Sequence, residues 1–200
     1  MDGGWDVYLG HSLQVVLGVA LLAAGATKLR QPGRFAAAVG GYEVVPPRLA
    51  APSAVAVMGS EVLVGLALLS GRGVAVAAPA AGALFAAFAV AVGINLRRGA
   101  SVPCGCFGSA DERVSPRTLA RLGLLLAATT VLVIVGAVSG GVPLDVARLA
   151  ADGRAGFERL VATLAIGAFL SAMGVWLLHV GELAALVGSL RPGRRHREGT

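Results

Sequence analysis

Charged residues are scarce in this sequence. They make up 14% of the 200 residues, whereas soluble domains carry about 25%. Apolar residues make up 56%, and the mean hydropathy is +0.78. A chain so poor in charge lacks the polar surface that a water-soluble domain or a disordered segment requires. The composition therefore predicts an integral membrane protein.

Cysteine, histidine and acidic residues are also few. Two cysteines exclude a secreted scaffold that is held by several disulfides. The sequence has neither a glycine-rich phosphate loop nor a spaced set of metal ligands, so we expect no cofactor and no metal. Seventeen basic residues against eleven acidic ones give a net charge of +6. Because the basic residues flank apolar runs, the expected partner is the lipid bilayer and not nucleic acid.

Five apolar runs are long enough to cross a bilayer, which takes about 20 residues. They cover residues 7–27, 49–69, 74–96, 122–138 and 160–180. The fourth run is short, but Leu119 and Ala120 extend it past Arg121. Because backbone polar groups must be satisfied within the membrane, each run is predicted to be a helix. The expected fold is an all-α, multi-pass transmembrane helical bundle.

The basic residues also predict an orientation. With five spans the two termini lie on opposite faces, and one face holds four of the seventeen basic residues: Arg72, Arg148, Arg154 and Arg159. The other thirteen lie on the opposite face, which the positive-inside rule assigns to the cytoplasm. The sequence therefore predicts a cell (inner or plasma) membrane protein with its N-terminus outside and its C-terminus in the cytoplasm. The 97–121 loop then faces the cytoplasm.

Both cysteines lie in that loop, as Cys104-Gly105-Cys106. Two thiols one residue apart can close only a small, strained ring, and a strained disulfide is suited to exchange. Nearby Arg97 and Arg98 would favour the nucleophilic thiolate. A redox pair, a structural bond, half of a metal site and two inert thiols all remain open at this point.

Glu61 is a second unusual feature, because this acidic residue falls near the middle of the second predicted span. A carboxylate there costs about 2.5–3.5 kcal/mol on insertion scales, so we expect it to face the bundle interior. At 1.5 Å per residue, Gln14 on the first helix shares its depth, Lys28 lies at the rim, and His11 lies about one turn beyond Gln14. Both a structural hydrogen-bonded pair and a proton or substrate site remain open.

Several motifs together resemble one family over about residues 7–138. They are Gly25-Ala26-Thr27-Lys28-Leu29, then Pro32, Phe35, Tyr42 and Pro46, then Glu61, Asn95-Leu96-Arg97-Arg98-Gly99 and Pro103-Cys104-Gly105-Cys106-Phe107-Gly108. This pattern is similar to that of the MauE family of methylamine-utilisation membrane proteins, within the wider DoxX-like group. One departure is Leu122, which follows Arg121 where the family usually has an Arg-Asn pair.

The resemblance implies a domain organisation and a role. A four-helix MauE/DoxX-like core would cover residues 1–138. The sequence beyond it predicts a connecting segment over 139–159, a fifth helix over 160–190 and a basic tail over 191–200, and the fifth helix and the tail lie outside the shared core. Family members are associated with maturation of the disulfide-rich small subunit of methylamine dehydrogenase, beside a thioredoxin-like partner. The family name does not settle the client.

Three functional hypotheses follow. In the first, the protein carries out thiol-disulfide exchange, with Cys104 and Cys106 as the catalytic pair that acts on a secreted redox protein. In the second, it is a small carrier or proton-coupled transporter that uses Glu61, Gln14 and Lys28, with Asn95 and His11 as further intramembrane polar candidates. In the third, it is a membrane scaffold without chemistry of its own.

Overall fold

The computed structural model of the protein describes residues 5–99 and 115–138, together with separate residues between 153 and 167. Residues 5–99 and 115–138 form five helices: α1 (Trp5–Arg30), α2 (Pro32–Gly41), α3 (Pro47–Ser70), α4 (Val74–Arg97) and α5 (Pro116–Val138). These described parts of the chain contain no strand. The prediction of an all-α bundle is confirmed.

Four of these helices are long and apolar enough to cross a membrane. They span Tyr8–Arg30, Pro47–Ser70, Val74–Arg97 and Pro116–Val138, which matches the first four predicted runs. The fourth is extended past Arg121 as expected, because Ser115 accepts a hydrogen bond from the Thr118 main-chain N–H and Pro116 occupies the first turn. The protein is a multi-pass membrane protein.

The fifth predicted span lies mostly outside the described residues. The described residues between 153 and 167 are helical, and Ser12 of α1 donates a hydrogen bond to the Thr163 carbonyl over 3.3 Å. The boundaries predicted for the connecting segment, the fifth helix and the basic tail remain predictions.

The helix α2 is absent from the sequence-based prediction. It is too short to cross a membrane, and it starts at Pro32 immediately after α1 ends. Its buried Phe35 packs with Ala54 and Met58 of α3, and its Gly40 lies against Ala50. The helix α2 therefore covers the N-terminal half of α3, beyond the end of α1.

Close helix packing depends on small residues at the contacts. A Cβ atom built on Gly18 would lie 2.8 Å from Leu69 of α3, and one on Gly65 would lie 2.9 Å from Leu22 of α1. The helices α4 and α5 meet where Gly82 faces Thr129. Small residues let membrane helices approach until dispersion contacts stabilise the pair. The tight link between α3 and α4 uses Gly71 and Gly73, both at positive φ.

Candidate functional site

Lys28 lies in the last turn of α1, and its side chain enters the bundle. It is 3% exposed, although a lysine at the end of a membrane helix normally extends to the headgroup region. It is also the one lysine in the sequence. A buried ammonium requires a compensating partner, because its transfer out of water is costly.

Glu61 of α3 supplies that partner. The residue is 1% exposed, and Oε1 accepts a hydrogen bond from Lys28 Nζ in a buried ion pair. The second carboxylate oxygen, Oε2, is buried and has no hydrogen-bond partner among the described residues. Each charge lowers the cost of burying the other, but one strong acceptor is left unused.

Two phenylalanine rings complete the surroundings of the ammonium. Lys28 Nζ lies 5.1 Å from the centre of the Phe35 ring on α2 and 4.8 Å from that of Phe88 on α4. Both distances fall within the range in which the negative face of an aromatic ring attracts a cation. We call Glu61, Phe35 and Phe88, which together surround the Lys28 ammonium, the ammonium cradle. With Lys28 in place, the cradle joins α1, α2, α3 and α4 at one point.

Gly25 allows α1 to approach α3 at the cradle. A Cβ atom built on Gly25 would lie 2.9 Å from Val62 Cγ2 and 3.5 Å from Glu61 Cβ. The glycine three residues before Lys28 therefore determines how closely the two charged side chains can meet. The Gly25-Ala26-Thr27-Lys28 motif thus combines a close approach of two helices with a buried cation.

Glu61 lies inside the bundle, as expected from the sequence, but it does not meet the residue that was expected at its depth. Gln14, which was expected at the depth of Glu61, donates instead to the Leu68 carbonyl over 2.6 Å. Lys28, which was expected at the rim, is the residue that meets Glu61. The expected depths assumed that the end of α1 lies level with the start of α3. In the structure α2 occupies that level, and α3 extends past α1 along it.

Asn95 lies at the same end of the bundle as the cradle. Its side-chain amide is buried and donates to the Tyr42 carbonyl over 3.2 Å and to the Ala91 carbonyl over 3.0 Å. The first bond ties α4 to the connection between α2 and α3. Asn95 is therefore a structural link between α4 and the end of α2.

His11 is partly buried near the N-terminal end of α1. Seventeen residues separate it from Lys28, which corresponds to about 25 Å along a helix. The structure therefore brings Lys28 and Glu61 together, with Asn95 nearby, and leaves His11 and Gln14 toward the other end of α1. The rings of Phe35 and Phe88 were not predicted as site residues, although Phe35 follows the unusual Lys28 by seven residues.

Cys104 and Cys106 lie outside the described residues. The helices on either side of them are described: α4 ends at Arg97, with Gly99 at positive φ, and α5 starts at Pro116. The segment with the two cysteines therefore joins α4 to α5 at the cradle end of the bundle. The described residues contain no group of three or more side chains suited to hold a metal ion.

The arrangement of the cradle limits what it can do chemically. It combines a fixed negative charge, two aromatic faces and a buried acceptor oxygen. Such a set can stabilise a cation or take part in a proton transfer. Intramembrane ionisable groups of this kind are typically functional.

Comparison with known proteins identifies the family. The family model described as "Methylamine utilisation protein MauE" matches residues 6–138, a range that includes α1 to α5 and both cysteines. Neither a curated protein nor a solved structure matches the chain. Since the matched range covers most of the sequence, this multi-pass membrane protein belongs to the MauE family.

Proposed function

We propose that the protein acts in methylamine utilisation by assisting maturation of a secreted redox protein through thiol-disulfide exchange at Cys104 and Cys106. The observation that carries the proposal is the family match, which includes the segment holding the chain's two cysteines. The client implied by the family is a disulfide-rich subunit of the methylamine dehydrogenase type. A thioredoxin-like protein would be its redox partner.

The exchange proceeds in two displacement steps. A client thiolate attacks the disulfide between Cys104 and Cys106, which forms a mixed disulfide and releases one cysteine of the pair as a thiolate. A second client thiolate then attacks the mixed disulfide, which closes the client disulfide and leaves the pair fully reduced. Two electrons pass from the client to the pair. The disulfide form of the thioredoxin-like partner accepts them and restores the pair.

The described surroundings of the segment favour this chemistry. The exposed Arg97 and Arg98 precede it at the end of α4, and positive charge stabilises the thiolate that attacks or leaves. The bond from Asn95 to the Tyr42 carbonyl fixes the α4 end from which the segment starts.

The orientation from basic residues places this segment on the cytoplasmic face, whereas a secreted client lies on the other side. A thiol pair in the cytoplasm is kept largely reduced. We therefore expect the segment to fold back toward the bundle, partly buried, so that the pair can hold a disulfide. Its Pro, Gly and Phe residues are compatible with re-entry where protein surrounds the backbone.

Client maturation in a methylamine-grown host tests the proposal. The Cys104→Ser and Cys106→Ser variants should each abolish formation of the disulfide-bonded client, and in one of them the remaining thiolate should attack the disulfide of the thioredoxin-like partner and accumulate as a mixed disulfide with it. Gly59→Ala is the matched control, because Gly59 is exposed and has nothing within 4 Å of its Cβ position. Normal client maturation in the double serine variant, at equal membrane abundance, would contradict the proposal.

A second candidate function is favoured by the ammonium cradle. The buried pair of Lys28 and Glu61, with a free carboxylate oxygen, is suited to a small carrier or proton-coupled transporter. The carrier hypothesis expects Glu61→Gln to abolish function and Cys104→Ser to leave it intact. The exchange hypothesis expects the opposite pattern.

A further inference from the structure

The ammonium cradle has the chemistry of a binding site that the protein fills with its own side chain. The Lys28 side chain ends in a primary ammonium on a methylene carbon, which is the chemical group of a small alkylamine in its protonated form. Around this group the structure places one carboxylate oxygen and two aromatic rings, contributed by three other helices.

We infer that the cradle is a site for small primary alkylammonium ions, and that Lys28 is its resident, tethered competitor. Glu61 is the anionic ligand, and Phe35 and Phe88 supply the aromatic faces. The inference extends the second candidate function. It depends on the carrier function only where transport is concerned, because binding of the ion to the protein can be measured without transport.

The unused oxygen of Glu61 is the observation that points to a ligand. The Oε2 atom is buried in a side chain that is 2% exposed, and it has no hydrogen-bond partner among the described residues. An ammonium has three donors, so an ion that is not tethered to α1 can reach either carboxylate oxygen. A tethered lysine can use only the geometry that its helix permits.

Aromatic faces and a carboxylate together favour small organic cations over sodium. Sodium holds its hydration shell tightly, and an apolar ring does not replace that water. An alkylammonium has an apolar part that packs against phenylalanine and an NH₃⁺ group that bonds the carboxylate. A quaternary ammonium has no N–H donor for Glu61. The cradle should therefore prefer methylammonium to both sodium and tetramethylammonium.

The tether explains why the wild-type protein should bind weakly. A group attached to the site by a short chain competes at an effective concentration on the order of millimolar or above. A free ion must exceed that concentration to displace Lys28. If the lysine ammonium is removed and its apolar stem is kept, the competition disappears while the carboxylate and the rings remain.

The experiment compares the full-length wild-type protein in detergent with K28M and with K28M/E61Q. Binding of radiolabelled methylammonium is measured by equilibrium dialysis, with unlabelled methylammonium, sodium and tetramethylammonium as competitors. We expect saturable binding to K28M that is about tenfold or more tighter than to the wild type. We expect no saturable binding to K28M/E61Q, in which the anionic ligand is absent.

Folding is followed at the same time by thermal melting. Methylammonium should raise the melting temperature of K28M, and it should leave that of K28M/E61Q unchanged. A K28M protein that folds only when methylammonium is present would also support the inference, because the free ion then replaces the lost lysine. If neither variant folds, saturable binding to the wild type that tetramethylammonium fails to displace supports it.

Three results would overturn the inference. The first is a folded K28M protein that shows neither saturable binding nor a change in melting temperature, at a methylammonium concentration about 100 times a millimolar dissociation constant. The second is K28M that stays unfolded in methylammonium while K28M/E61Q folds. The third is the absence of saturable binding to the wild type when neither variant folds. Binding without uptake into vesicles would instead reject the carrier function and leave the site intact.

Discussion

Gly18 of α1 and Gly65 of α3 approach each other backbone to backbone. A Cβ atom built on Gly65 would lie 3.1 Å from the Gly18 carbonyl oxygen, and one built on Gly18 would lie 3.3 Å from the Gly65 carbonyl oxygen. This contact fixes how far α3 can slide along α1. It thereby fixes which residue of α1 meets Glu61, and that residue is Lys28.

The Gly65→Ala variant tests this contact. The added methyl group meets the Gly18 carbonyl and Leu22, so we expect the free energy of unfolding to fall by roughly 1–3 kcal/mol, as is typical of overpacking. Unfolding in mixed micelles with increasing denaturing detergent measures the change. Gly59→Ala on the same helix is the matched control, because its added methyl group meets nothing. Equal stability of the two variants would show that α1 and α3 are less closely packed than described.

The ion pair predicts a non-additive double-mutant cycle. Lys28→Met leaves Glu61 as an uncompensated buried charge, and Glu61→Gln leaves Lys28 as one; such losses cost roughly 3–5 kcal/mol. The double variant buries neither charge, so we expect it to be more stable than either single variant. The same detergent titration gives the three values. Additive losses would mean that the two side chains do not interact.

Thr129 and Thr130 offer a matched pair on α5. Each hydroxyl donates to a carbonyl four residues earlier, but Thr129 is buried against Gly82 of α4, whereas Thr130 is exposed. Thr129→Ala opens a void between α4 and α5, and we expect a loss of about 1 kcal/mol. Thr130→Ala should change the free energy of unfolding by less than about 0.5 kcal/mol. A larger loss of stability for Thr130→Ala than for Thr129→Ala would show that the opposite face of α5 lies inside the bundle.

The orientation is tested with reporter fusions at the two termini. The count of basic residues predicts that the N-terminus lies outside and that the tail at Arg194 lies in the cytoplasm. A periplasmic reporter should therefore be active at the N-terminus, and a cytoplasmic one should be active after residue 200. If both termini lie on one face, the five-span prediction fails, and the 160–180 segment is then the predicted span that does not cross the membrane.

The four membrane helices could be predicted from the sequence because length and apolar content decide a membrane span. The position of Glu61 inside the bundle followed from the same argument, since a carboxylate at that depth cannot face lipid. Local sequence rules were sufficient for both. The extension of the fourth run past Arg121 was also predicted, although only to Leu119, whereas α5 starts at Pro116.

The partner of Glu61 could not be predicted in this way, because it depends on the offset between two helices. That offset follows from the glycine contact of Gly18 with Gly65 and from the position of α2. The helix α2 is short, and its few buried residues give no span signal. The two phenylalanine rings around Lys28 come from α2 and α4, so their meeting is a property of the tertiary fold.

The central proposal is that Cys104 and Cys106 form a disulfide that exchanges with a client, and thiol alkylation tests it most directly. Intact cells and inverted vesicles are treated with membrane-permeant and impermeant reagents, with and without prior reductant, and the labelled thiols are counted by mass. We predict that the pair resists labelling until a reductant is added, and that it then takes up two labels. Two thiols that label freely from the cytoplasmic side without reductant, in growing cells that need the client, would contradict the proposal.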